Sequence, residues 1–383
     1  MLYELNKMDE MKIAIAIDSF KGSLGSMEAG NAAAEGIRRV LPTAECMVRP
    51  LADGGEGTVE ALAAGLGGKL RNVEVTGPAG KPVVATYGLV GGMAVMEMAQ
   101  AAGITLVSGD EKNPLRTTTF GVGEMIKDAI AQGCRRFIIG IGGSATNDAG
   151  AGMLQALGFR LMDGEGRDIP LGGGALSNIS KFDRSGVLPE LGECTFRIAC
   201  DVSNPLCGEK GASAVYGPQK GATPDMVETL DSALAHFAAV AGGDPEYPGS
   251  GAAGGLGFAF REFLGAELKS GVEIVLEETC FEEVVRDADV VVTGEGRLDS
   301  QTIMGKAPIG VARMAKRFGK KVLAFSGCVT PDAGVVNSHG IDAFFPILRE
   351  VVTLEKALEK GNAAANLAAT TEQVFRCLLL GAH

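Results

Sequence analysis

Short apolar runs alternate with amphipathic stretches at both ends of this 383-residue chain, a pattern that points to strands of a parallel sheet joined by crossover helices. Lys12 to Ile17 reads as a buried strand. Ala33, Ile37, Val40 and Leu41 then share one helical face, which places a helix over Ser26 to Leu41. Cys46 to Leu51 is the second strand and Thr58 to Gly65 the helix behind it. The pattern returns with strands at Asp289 to Val292 and Val322 to Phe325 around a helix from Lys306 to Phe318.

Between these ends the texture changes. NVEVTGPAGKPVVATYGLV reads as a hairpin around a Gly/Pro turn, and Val122, Met125, Ile126, Ala129 and Ile130 line a helix stopped by Gly133. Arg136 to Ile141 is a further strand. Thr223 followed by Pro224 is a strong helix start, with Met226, Leu230, Leu234 and Phe237 on one face and His236 off it, as a solvated residue. The expected fold is α/β, a Rossmann-like (flavodoxin-like) doubly wound parallel sheet interrupted by an inserted second α/β domain. The expected boundaries are 11–72 plus 286–383 for the sheet domain and 73–285 for the insertion.

Composition narrows the function. A net charge of −12 opposes general attraction to nucleic acid, and the absence of Trp leaves no aromatic platform for single strands. The apolar stretch from Pro82 to Met96 is too short and too rich in glycine to span a bilayer. The eight cysteines include no C-x-x-C pair and fit small hydrophobes in a reducing cytosol. The opening MLYELNKMDE carries acids where an export signal is basic, so the expected location is cytoplasmic, without nucleic acid or membrane partners. Homo-oligomerisation is left open.

The 56 glycines cluster between apolar runs, where tight loops let backbone approach a ligand. Open parallel sheets bind ligands beyond the carboxyl ends of their strands. Asp18 in DSFKGS, Asp53 in ADGGEGT and Glu295 in TGEGRLDSQT each follow a strand, and Lys21, Arg297, Asp299 and Lys306 lie close by in sequence. GIGGSATNDAGAG, residues 140–152, is a glycine-rich strand-to-helix turn suited to cradling phosphate. Its match to a dinucleotide-binding pattern, with Asp163 downstream, is loose, and no Walker A spacing occurs. Asp201 follows another strand, and Lys220 precedes the capped helix. Carboxylates and cations mixed in glycine loops suit phosphoryl transfer with bound Mg²⁺. Residue types alone lead to a kinase for a small anionic or hydroxylated substrate.

Nine segments, IAIDSFKGSL, PLADGGEGTVEAL, NPLRTTTFGVGE, IIGIGGSATNDAGAGMLQALG, ACDVSNPLCG, GASAVYGPQKGAT, GAAGGLGFAF, LGAELKSGVEIVL and TGEGRLDSQTIMGKAPIGVA, resemble the bacterial glycerate kinase family in content and order. Ala16 departs from the proline common before the first Asp-Ser. The resemblance implies ATP-dependent phosphorylation of D-glycerate to 2-phosphoglycerate with Mg²⁺, in a cleft between a Rossmann-like domain and a second α/β domain. It assigns no individual roles.

From charge and placement, Asp18 or Asp53 is expected to receive the hydroxyl proton. Lys21, Lys220, Arg297 and Lys306 are expected to bind carboxylate and phosphates. The amides of Gly142, Gly143, Ser144 and Thr146, with Asn147 beside them, are expected to hold part of the phosphate chain, and Asp148, Asp201 and Glu295 to serve as metal candidates. The alternatives are a glycerate kinase giving the 3-phospho product, an NAD(P)-dependent hydroxy-acid dehydrogenase, and a non-catalytic metabolite sensor.

Overall fold

The computed structural model describes residues 11–380, which divide into two compact units. The first takes the chain up to Asp53, Glu60–Gly67 and Val272 onward; the second takes Gly54–Val59 and Gly68–Gly271. The division falls earlier than the expected 73 and 285 for a physical reason at each point. Strand β3 (Lys69–Thr76) pairs along its whole length with β4 (Pro82–Val90), so it belongs with the second unit's sheet. Val272, Leu276, Phe281, Val284 and Val285 instead pack in the core of the first.

The first unit's sheet is wholly parallel, with β1 (Lys12–Ile17), β2 (Glu45–Val48), β11 (Val290–Leu298), β12 (Lys321–Val329) and β13 (Ala343–Pro346) arranged β13-β12-β11-β1-β2. Counted within the unit, this is the flavodoxin-like doubly wound order. The period of two along KIAIAI sends Ile13, Ile15 and Ile17 to one face and Ala14 and Ala16 to the other. The isoleucine face is covered by helices Ser26–Arg38 and Lys360–Leu380. These helices meet so closely that a Cβ on Gly36 would lie 2.1 Å from the Ala368 carbonyl oxygen. The alanine face receives helices Phe281–Asp287 and Ala307–Arg317. With both faces covered, the strands read as continuous apolar runs, as a buried parallel sheet requires.

β11 and β12 run well past their apolar portions. Glu295 pairs with Ser326 and Arg297 with Cys328, so Glu295 lies within β11 and does not follow it.

The second unit has a six-stranded mixed sheet. Its parallel part is β10 (Glu267–Lys269), β9 (Thr195–Ala199), β6 (Arg136–Gly140) and β5 (Met93–Glu97), and β4 and β3 continue it antiparallel as the expected hairpin. A separate pair, β7 (Arg160–Met162) and β8 (Lys181–Asp183), is antiparallel. The helix after Thr223 spans Pro224–Ala241, with Thr223 accepting from the Met226 amide at 3.3 Å. His236 is exposed, yet its Nε2 lies 2.6 Å from the Ile179 carbonyl oxygen, so it is a bonded residue as well as a solvated one. Among the described residues no helix is long and apolar enough to cross a membrane.

Candidate active site

The first unit's strand order reverses between β1 and β11, and a crevice opens at such a point beyond the carboxyl ends. Asp18 stands there directly after β1, its amide donating to the Gly294 carbonyl of β11 at 2.9 Å. The buried hydroxyl of Ser26 donates to the Ile17 carbonyl at 2.6 Å and accepts from the Leu51 amide at 2.8 Å. This one side chain ties the end of β1 to the segment leading to Asp53. Glu28 steadies the same helix start by accepting from the Gly25 amide at 2.8 Å.

Burial, then the charge of Asp53, then that of Glu295 push the Asp18 carboxyl up to about 7; the Ser19 amide and Lys21 pull the other way. The structure thus brings Asp18, Asp53 and Glu295 into one electrostatic cluster. Glu295 is buried and held on both sides. Its Oε1 accepts from the Thr302 hydroxyl at 2.6 Å, and Lys306 Nζ lies 3.7 Å from Oε2 and 3.5 Å from Asp299 Oδ1. Burial still raises the Glu295 pKa. Arg297 pairs with Asp299 at 3.4 Å and remains largely exposed, as does Lys21. Thr302 carries this arrangement without having been singled out from the sequence.

In the second unit, the turn after β6 presents Gly142 and Gly143 to solvent, and neither amide hydrogen-bonds to another described residue. The rest of the turn is tied down: Ile104 donates to the Gly143 carbonyl, Ala145 to that of Ala102, and the Thr117 hydroxyl to that of Ala145. Lys220, expected to bind an anion, is only 2% exposed. Its Nζ lies 2.7 Å from Ser144 Oγ and 2.7 Å from the Thr146 carbonyl oxygen, and desolvation brings its pKa down to about 7.

Asp148 is fully buried. It accepts from the Thr119 amide and hydroxyl at 2.8 and 2.9 Å and from the Gly150 and Gly152 amides at 3.2 and 3.3 Å, while burial raises its pKa. Asn147 is buried, donating to Ser213 Oγ at 2.9 Å, and Asn147 Oδ1 and Thr146 Oγ1 find no hydrogen-bond partner among the described residues. Ala149 and Ala253 both take left-handed backbone, with φ of 51° and 52°, and Ala149 donates to the Gly254 carbonyl at 2.9 Å. Such strain persists only where packing enforces it.

Asp201 is exposed and accepts from the Gly271 amide at 3.3 Å. The three metal candidates are therefore each engaged by protein groups, and no three His, Cys, Asp or Glu side chains among the described residues gather as a metal nest. Asp163 caps its own turn by bonding Arg167, which leaves the dinucleotide pattern without its acidic partner. Sequence reasoning also passed over Glu97. Buried at the end of β5, its Oε1 accepts from the amides of Gly57, Thr58 and Val59 at 3.0, 3.0 and 3.3 Å. An acid closing an apolar strand was the signal, the same one that marks Asp18.

Acids at the switch point of the first unit's sheet and open glycine-loop amides in the second unit are features that small-molecule phosphotransferases use. The glycerate kinase family model matches residues 13–379. The chain is 49% identical to a glycerate kinase of Haemophilus influenzae, covering 97% of this chain and 100% of the relative. It is also 49% identical to the glycerate 2-kinase of Escherichia coli K12, covering 94% and 98%, and 51% identical to a glycerate kinase of Bacillus subtilis, covering 91% and 93%. A crystal structure from Salmonella typhimurium LT2, provisionally named glycerate kinase 2, superposes with a TM-score of 0.89 at 48% identity, covering 97% of this chain and 99% of that one. The chain belongs to the glycerate kinase family.

Proposed function

We propose that this enzyme transfers the γ-phosphoryl group of ATP to the 2-hydroxyl of D-glycerate. The hydroxyl oxygen forms the new bond to phosphorus, the bond to the β-phosphate oxygen breaks, ADP leaves, and the hydroxyl proton passes to Asp18. The observation that carries this reading is Asp18 standing directly after β1 at the switch point, bonded through its amide to Gly294 and within reach of the charges of Asp53 and Glu295, which with burial bring its carboxyl toward the working pH where a base is most effective. The name of the E. coli relative supports the 2-position.

The first unit's exposed cations, Lys21 and Arg297, are suited to meeting the substrate carboxylate or phosphate oxygens, with Lys306 orienting Glu295 behind them. In the second unit the open amides of Gly142 and Gly143 are suited to phosphate oxygens, which accept from backbone N–H without needing a side chain. Mg²⁺ takes only one or two carboxylates beside phosphate oxygens and water, so it needs no nest of three acids, and the carboxylates nearest the proposed chemistry are those whose charges reach Asp18. Asp53 would hold it together with the phosphate oxygens, whose charge it would neutralise. A dehydrogenase reading loses its footing with Asp163 turned to Arg167.

The test is to incubate the protein with ATP, Mg²⁺ and D-glycerate and identify the product by ³¹P NMR. 2-Phosphoglycerate is expected. Formation of 3-phosphoglycerate would move the reaction to the other hydroxyl, and no phosphorylated glycerate at all would refute the proposal.

A further inference from the structure

Lysine is almost never fully buried unless paired, because removing an ammonium from water is costly. Lys220 breaks this pattern: it is buried, no ion pair within 4.0 Å satisfies it among the described residues, and the one opposite charge that acts on it, that of Asp148, does so from farther away. The neighbouring acid, Asp148, is taken up by four donors of its own. Two of the three ammonium hydrogens are accounted for by Ser144 Oγ and the Thr146 carbonyl. Both acceptors belong to the turn that presents the open amides of Gly142 and Gly143. An interior charge beneath a turn is little screened, so its attraction for an anion on the outer side is stronger than that of a surface lysine.

We infer that Lys220 is a positioning residue of the glycine turn, which shapes the turn through Ser144 and Thr146 and adds positive potential to its amides without touching the bound phosphates. This deepens the kinase reading and rests on it. It also replaces direct ligation by Lys220 with action through the turn. A merely structural lysine would join two consequences, loss of stability and loss of affinity, that a positioning charge keeps apart. Lys220→Met leaves Ser144 Oγ and the Thr146 carbonyl without their donor and should lower stability, whereas Lys220→Gln keeps a donor to them, so a fall in polyanion affinity that persists in Lys220→Gln at held stability reports the lost charge.

The experiment compares the full-length enzyme with Lys220→Met, which keeps the apolar stem, and Lys220→Gln, which keeps a neutral donor. Binding of ADP and of inorganic tripolyphosphate is measured by calorimetry, KM for ATP by steady-state kinetics, and Tm by scanning calorimetry. We expect both affinities to weaken and KM for ATP to rise about tenfold or more in each variant, with Tm lowered in Lys220→Met and held close to that of the unmodified protein in Lys220→Gln. Affinities within twofold of the unmodified protein would overturn the inference. Loss of affinity in Lys220→Gln only together with a fall in its Tm, or failure of both variants to fold, would make Lys220 a structural residue and overturn it too. Turnover of D-glycerate by the unmodified enzyme reports on the underlying kinase reading separately.

Discussion

Ser26 holds Leu51 and Ile17 on one hydroxyl, accepting from the first at 2.8 Å and donating to the second at 2.6 Å. A buried residue thereby ties together the two segments that lead to Asp18 and Asp53. Ser26→Ala leaves a buried amide and a buried carbonyl unpaired, which costs about 1–3 kcal/mol. Misplacing the carboxylates is expected to lower kcat by roughly ten- to a hundredfold. Denaturant unfolding and steady-state kinetics check the two effects. Normal turnover would show that Asp18 and Asp53 are placed by other contacts.

The Asp18 carboxyl at about 7 sets a pH dependence. As a base it works ionised, so kcat/KM for D-glycerate is expected to climb with pH and level off above about 7. Asp53 and Glu295 raise this carboxyl and Lys21 lowers it. Asp53→Asn removes the larger of the two negative charges and should move the acidic limb to lower pH. A limb that does not move would assign it to another group.

The same shift makes Asp18 a cost to stability. Its folded pKa is raised from 3.8 to about 7, so the folded state holds this proton more tightly. That contribution is full below about 3.8 and is lost as pH rises through about 7. Asp18→Asn carries no charge to desolvate and should melt at a higher temperature than the unmodified protein at pH 8, with the gap closing toward pH 4. Equal Tm values at pH 8 would contradict the burial of this charge.

Gly254, at φ +70°, is the residue that fixes the far side of the glycine turn, because a Cβ there would lie 2.1 Å from the Thr146 carbonyl oxygen. Gly254→Ala combines that clash with left-handed strain and is expected to cost about 1–3 kcal/mol or more. It should also raise KM for ATP by displacing Thr146. Thermal melts and kinetics test it, and an unchanged Tm would mean that the turn relaxes freely.

Much of the fold was legible because apolar runs and helical stripes report burial directly. KIAIAI shows its strand, and Thr223-Pro224 marks the start of its helix. The extent of β11 was hidden, since Glu295 and Arg297 are polar yet pair within the sheet, and polarity in sequence reads as loop. The acids at strand ends were found for the same reason that strands were. What sequence could not show was which side chain faces inward: Lys220 reads as an anion ligand and lies buried, Asp148 reads as a metal ligand and its carboxylate is filled by three amides and the Thr119 hydroxyl, and Thr302 and Ser26 look like ordinary hydroxyls. Those facts arise from contacts between distant segments, which spacing along the chain does not encode.

The most direct trial of the whole reading is ATP-dependent phosphorylation of D-glycerate by Asp18→Asn, followed alongside its ADP affinity. With the base removed and the fold kept, kcat should drop by about 10² to 10⁴ while ADP binds within a few-fold of the unmodified protein. Full turnover by this variant would contradict the role given to Asp18 and, with it, the acidic cluster at the switch point as the centre of the chemistry.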